Sequence, residues 1–295
     1  MSEKLKFNKF DTLSISSDFF HSRNTRTFEA GLKNPFRFLE WVHKCTSNYR
    51  KVKSAHCYLT KVLTEMKFDH TKTDGESLLE YLLKNESENL TKKQISEHLI
   101  TYLNAGLDTT AAHLHYSILF LAMHQNHQEK LFEEVATVDK DNHEAMMKLD
   151  FLDRVIKESF RLAPPIFLIG RETIDDFEIS PGLIIPNHTP LAINTFVLHR
   201  RKDIYGDDSH KFNPDNFLPE KIAERHSFSF QPFSTGRRNC IGYRFATVFI
   251  KLLMPELIRN FKFTTQSKPE DMHFKYGMTL KLTRDHLVSI ERRQQ

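Results

Sequence analysis

The stretch Phe233-Ser234-Thr235-Gly236-Arg237-Arg238-Asn239-Cys240-Ile241-Gly242 decides how the rest of this chain reads. Two glycines bracket one cysteine, and a long helix is expected to start near Cys240. A cysteine placed where a loop turns into a helix faces amide donors and the positive end of the helix dipole. Both favour thiolate over thiol, and amides that donate to sulfur tune a metal held there. Glycine lets backbone approach a flat ligand where a side chain would collide. Arg238 sets a fixed cation beside that ligand, suited to a carboxylate. A lone cysteine is more often simply buried, but that reading gives no reason for Phe, two Gly and Arg at these offsets.

Working outward, residues 149–162 carry a helical pattern that Pro164-Pro165 stops. On that helix Glu158 and Arg161 lie one turn apart on one face; alone, such a pair is usually a solvated surface bridge. Further upstream, Thr91 and Gln94 form a capping box that opens a long helix to about residue 124. Gly106 inside it costs about 1 kcal/mol relative to Ala. Another helix is expected over residues 128–138. The period then changes. Phe177 and Ile179 alternate with polar neighbours, Pro181-Gly182 marks a turn, and Leu191 and Ile193 resume the alternation as one small antiparallel sheet.

Irregular, proline-containing chain leads to Gly236, and Pro255 should kink the last helix at a cost of roughly 3 kcal/mol. Leu280, Leu282, Val288 and Ile290 suggest terminal strands. Before all this, Phe36, Leu39, Trp41, Val42, Val52, Leu59, Val62, Leu63 and Met66 recur mostly at helical spacing, followed by a polar loop around Gly75. The expectation is one domain, residues 1–295, mainly α with a minor β-sheet.

Composition removes several classes of function. With 39% hydrophobic residues and 25 Phe among 295, the chain can bury a large core. Only 9 Gly and 11 Pro leave no room for collagen-like or linker-dominated structure. The net charge of +4 is spread among acids rather than gathered in a stripe, so the charge balance alone argues little; a nucleic-acid-binding helical protein is the least favoured reading, and no nucleic-acid partner is expected. Cys45, Cys57 and Cys240 form no CxxC pair, which argues against a disulfide scaffold or a cysteine-based zinc site. The polar start MSEKLKFNKFDTLS lacks a signal-peptide core, and no run approaches the roughly 18 apolar residues of a membrane span. The chain alone is expected to be soluble or peripheral.

At every fixed position the opening stretch matches F-x-x-G-x-R-x-C-x-G, and so resembles the haem-binding signature of the cytochrome P-450 family. The resemblance extends from about Ser17 and implies the C-terminal part of the P-450 fold. It implies haem b, with iron held by the Cys240 thiolate and with Phe233, Gly236, Arg238 and Gly242 around it. It also implies a monooxygenase that inserts one atom of O2 into a small apolar organic substrate.

Three other segments resemble the family. Glu158-Ser-Phe-Arg161 is similar to its E-x-x-R pair, which is buried and locks the cysteine loop; Asn216 stands where the third partner is commonly Arg, implying a weaker lock. Ala105-Gly106-Leu-Asp108-Thr109-Thr110 is similar to the oxygen-binding segment. There Gly106 would leave room over the haem, Thr109 would hydrogen-bond dioxygen and Asp108 would relay protons. Ala105 stands where one subgroup of fatty-acid ω-hydroxylases has Glu, so covalent haem attachment is not expected. Arg171 resembles the arginine that pairs, with Arg238, to a haem propionate.

Residues 165–169 and the neighbourhood of Met278 fall where the family lines its substrate pocket. Arg200, Arg201, Lys202, Lys211, Arg237, Arg244 and Lys251 would steer an NADPH-dependent flavoprotein reductase. The motifs look most like the microsomal animal branch, which implies the cytosolic face of the endoplasmic reticulum membrane. Family chains are longer, so this one is expected to be N-terminally truncated, lacking the membrane anchor, early helices and part of the sheet. Trp41, with Cys45 four residues on, does not fit the family's W-x-x-x-R motif. The rival reading is a catalytically inactive fragment that binds haem or a partner.

Overall fold

The computed structural model describes residues 49, 53–54, 78–84 and 91–293. The helical readings between positions 36 and 66, the loop around Gly75, and Trp41, Cys45 and Cys57 lie outside the described residues. In chain order the elements are α1 (Leu78–Lys84), α2 (Lys92–Met123), α3 (Gln125–Ala136), α4 (His143–Met147) and α5 (Asp150–Leu162). Strands β1 (Leu168–Glu172), β2 (Phe177–Ser180), β3 (Leu183–Ile185) and β4 (Pro190–Asn194) follow. Short helices α6 (Thr195–Leu198), α7 (Lys202–Tyr205) and α8 (Pro219–Ala223) lead to α9 (Tyr243–Asn260). The chain closes with β5 (Phe261–Thr264), β6 (Phe274–Tyr276), β7 (Leu280–Leu282) and β8 (Ser289–Arg292). The protein is mainly α with minor β structure.

Two compact units divide the chain, Met1–Asp108 and Thr109–Gln295, with the boundary inside α2. In the first unit the capping box forms: the Thr91 amide donates to Gln94 Oε1 at 2.9 Å, and the Gln94 amide donates to Thr91 Oγ1 at 3.3 Å. Each side chain thereby satisfies an amide that has no partner within the helix. Ile95 and Ile100 are the buried apolar residues at this end of α2.

The core of the second unit gathers Phe120 and Leu121 of α2, Leu131 of α3, Leu152 and Val155 of α5, and Ile250 and Met254 of α9. Helix α5 has Asp150 and Asp153 in its first turn and Arg161 in its last, a charge order that suits its dipole. Its first amides are capped at long range. Glu134 on α3 accepts from Phe151 and Leu152 at 2.7 and 2.9 Å. Gln128, fully buried on α3, pins β5 by accepting from the Phe263 amide and donating to its carbonyl, both at 2.8 Å.

Several sequence expectations are corrected. Helix α3 starts at Gln125 rather than 128, at a position with no side-chain cap to signal it. The single sheet is two separate two-stranded sheets, of which only β2–β3 is a hairpin. Strand β4 pairs with β1, Arg171 opposite Leu191, while β2 pairs with β3 around Gly182 at φ +82°. The contiguous apolar residues before Gly170 hid β1 from a reading by alternation. Pro255 lies inside α9 as the sequence indicates, and Met254, Pro255 and Ile258 are buried. Strands β7 and β8 fall where expected, and their partners β6 and β5 emerge only from the pairing. No helix among the described residues is long and apolar enough to cross a membrane.

Candidate functional site

Glu158 and Arg161 sit on the buried face of α5, each with 0% of its side chain exposed. Arg161 Nε and Nη2 donate to the two oxygens of Glu158, both at 2.7 Å. Its remaining donors reach the carbonyls of His199 at 2.9 Å, Ser209 at 2.5 Å and Lys211 at 3.1 Å. The guanidinium thus uses every N–H it has. Glu158 Oε1 also accepts from the Asn213 amide at 2.8 Å and from Asn216 Nδ2 at 3.2 Å, so Asn216 stands as an uncharged third partner. A cation is nevertheless close by. Arg225 donates to the Asn216 carbonyl and stacks on Tyr205 at 4.7 Å, a ring that Arg161 also covers at 4.7 Å. Sequence reading missed Arg225 because it acts through an aromatic ring from another turn of chain.

The cysteine loop is tied at its neck. The Cys240 amide donates to the Phe233 carbonyl at 2.9 Å, and the loop between them turns through Ser234 at φ +62° and Gly236 at φ +77°. Glycine takes that conformation without strain; Ser234 does not. Helix α9 starts at Tyr243 with Gly242 as its N-cap, so Cys240 precedes the helix rather than opening it. Cys240 is an exposed residue. A Cβ on Gly242 would lie 3.8 Å from Sγ, while one on Gly236 would meet nothing within 4 Å.

Arg171 reaches from β1 into this loop. Its Nη2 donates to Ser234 Oγ at 2.6 Å and to the Thr235 carbonyl at 3.2 Å, while Arg238 lies exposed on the loop itself. Phe233 packs edge-on against Phe160 of α5 at 4.9 Å, and Phe160 stacks on His113 of α2 at 3.5 Å. This column was not legible in the sequence, since its members come from three separate elements. Burial pushes the His113 imidazole down to about 3.

On α2, Ala105 is exposed, and Gly106, Asp108 and Thr109 are half-buried; Asp108 ends the first unit and Thr109 opens the second. A Cβ built on Gly106 would meet nothing within 4 Å. The structure joins the two apolar segments read from sequence: the Leu280 amide donates to the Pro165 carbonyl at 2.9 Å, and Phe167 packs on Tyr276 at 4.9 Å. Ile166, Leu168 and Met278 remain exposed there.

The set of basic residues expected to steer a partner needs correction. Lys251 is buried, bonded to Asp153 at 2.6 Å and to the Met147 carbonyl at 3.1 Å. Arg200 lies over the Phe196 ring at 3.6 Å and donates to the Leu162 carbonyl. Both side chains hold the fold rather than face solvent. Arg201, Lys202 and Lys211 pair with Asp203, Asp207 and Asp208. Arg237 and Arg244 are exposed beside the cysteine.

Among the described residues no group of three His, Cys, Asp or Glu comes together. The soft sulfur of exposed Cys240 suits haem iron, Gly236 adds no bulk, and Arg171 and Arg238 offer cations for carboxylates. The residues present fit haem.

The comparisons with known proteins agree with that geometry. The family model described as cytochrome P-450 matches residues 9–288. In Drosophila melanogaster, "Probable cytochrome P-450 313a1" is 36% identical over 210 residues, covering 69% of this chain and 43% of that protein. "Probable cytochrome P-450 4ac1" of the same organism is 31% identical over 285 residues, covering 88% and 55%. The chain spans about half the length of the curated relatives it matches.

Proposed function

Because this chain belongs to the cytochrome P-450 family, we propose that it acts as a haem-thiolate monooxygenase on a small apolar organic substrate, with O2 as co-substrate and an NADPH-dependent flavoprotein reductase as electron donor. The observation that carries this reading is exposed Cys240, set by the Phe233–Cys240 backbone bond at a loop's junction with α9. Haem b, bound through that sulfur, supplies the O–O cleavage chemistry, which the thiolate's electron donation favours.

The chain's own residues supply position and protons. Thr109 would hold dioxygen by its hydroxyl, and Asp108 would pass protons inward as a general acid. Arg171, anchored to Ser234 and Thr235, and Arg238 would pair with haem carboxylates. Ile166, Leu168 and Met278 give an apolar surface of the kind an apolar substrate needs. Arg237 and Arg244 are the exposed cations left to meet an acidic donor. The reading extends to one P-450 domain over residues 1–295, at the cytosolic face of the endoplasmic reticulum membrane.

The test is the absorption of the reduced carbon monoxide complex. A thiolate-type band is expected in the wild type and not in Cys240→Ser; a wild type without it, or a variant that keeps it, removes the assignment. Substrate-dependent NADPH consumption with a reductase then separates turnover from mere haem or partner binding.

A further inference from the structure

One buried residue touches both the Glu158–Arg161 pair and the cysteine loop. The His199 carbonyl accepts from Arg161 Nη1 at 2.9 Å, and the Nε2 of its ring accepts the Gln231 amide at 2.9 Å. The side chain is wholly enclosed, with Phe230 tilted against it at 5.1 Å. Gln231 in turn organises the start of the loop. Its carbonyl accepts from the Ser234 amide at 3.3 Å, its Oε1 from Thr235 Oγ1 at 3.4 Å, and its Nε2 donates to the Phe228 carbonyl at 2.9 Å. Two residues further on, Phe233 bonds to Cys240. We propose that His199 is the positioning residue through which the Glu158–Arg161 pair sets the cysteine loop, its bare Nε2 lone pair holding the loop's first amide.

The proposal rests on the reading of Cys240 as the haem ligand, but its geometry belongs to the chain alone. An imidazole nitrogen accepts a hydrogen only while it carries no proton. Burial, with the charges of Arg161 and Arg200, pushes the His199 ring down to about 3, so it keeps that lone pair at neutral pH. With Nε2 as acceptor, the proton sits on Nδ1. Leucine at 199 would fill much of the volume yet leave the Gln231 amide buried without an acceptor. Glutamine would set its carbonyl oxygen where Nε2 lies and accept the same hydrogen.

The experiment compares wild type, His199→Leu and His199→Gln in the full chain by two readouts. Hydrogen exchange, followed without haem, should find the Gln231 amide protected in the wild type. His199→Leu should exchange it about 10- to 100-fold faster, as expected for a lost buried hydrogen bond, and His199→Gln should restore protection. With haem, the reduced carbon monoxide band should leave its thiolate position in His199→Leu and return in His199→Gln. Unchanged exchange in His199→Leu, or failure of glutamine to rescue a folded chain, overturns the proposal. Should His199→Leu not fold, the wild type decides: a Gln231 amide that exchanges as fast as those of exposed Arg237 and Arg238 overturns it. A wild type that protects Gln231 yet gives no thiolate band sinks the haem reading and leaves this contact standing.

Discussion

The Glu158–Arg161 pair and the cysteine loop are linked through His199 and Gln231, yet they are built on opposite plans. The pair is fully enclosed, and every donor of the guanidinium is used. Residues 236–241 are exposed, and the loop is held chiefly through its neck and through Arg171. A buried ion pair is costly to break from either side, because the survivor keeps its charge and loses its partner. An exposed loop residue can change with little effect on folding. Residue types in the pair are therefore dictated by stability, whereas a cysteine at 240 is left to be explained by chemistry.

The strongest way to break this contrast is Arg161→Ala. It strands the Glu158 carboxylate and three carbonyls, and should cost about 3–5 kcal/mol or abolish folding. Urea denaturation measures it, and a variant as stable as the wild type would erase the distinction.

Acid offers the next largest effect. His113 and His199 are both held near a pKa of about 3, far below the ordinary value of 6.5. Below pH 6.5 the unfolded chain takes up protons that the folded chain refuses, so stability falls as pH drops from 6.5 toward 3. Each ring contributes a slope of about 1.4 kcal/mol per pH unit. Denaturation midpoints at pH 7, 6 and 5 should show the fall, and His199→Gln should remove one ring's share of it, about 1.4 kcal/mol per pH unit. A profile flat over that range would mean the two rings are not buried and neutral. Asp153 adds to the loss only at lower pH: burial raises its carboxyl, but hydrogen bonds from Lys157 and Lys251 outweigh that and hold it below the usual value.

Arg171→Ala sharpens the comparison from the loop side. Losing the bonds to Ser234 and Thr235 should cost about 1–2 kcal/mol, with faster trypsin cleavage after Arg237 and Arg238. Unchanged cleavage would show that Arg171 does not brace the loop. The smallest stability effect belongs to Cys240→Ser, within about 0.5 kcal/mol of the wild type, even though the thiolate band should vanish. A large destabilisation would place Cys240 among the structural residues.

The contrast also explains what could be read without coordinates. The Thr91–Gln94 cap, the end of α5 before Pro164 and the offsets around Cys240 are settled by neighbours within a few residues, so local spacing carries them. The Glu134 cap on α5, the Arg225–Tyr205 stack and the His113–Phe160–Phe233 column join residues far apart in sequence, and no local pattern marks them. Lys251 and Arg200 teach the same lesson in reverse: charge alone suggested a docking face, and packing turned both side chains inward.

The chain's own order of residues was enough to establish the long helices α2, α3, α5 and α9, the capped start of α2 and the loop that carries Cys240, because hydrogen bonding over a few residues obeys spacing. Tertiary structure alone decided that β4 pairs with β1, that Arg171 is carried to Ser234, and that His199 joins the buried pair to Gln231. Those contacts depend on which distant surfaces exclude water together, a choice made by packing across the whole unit rather than by any neighbour in the chain.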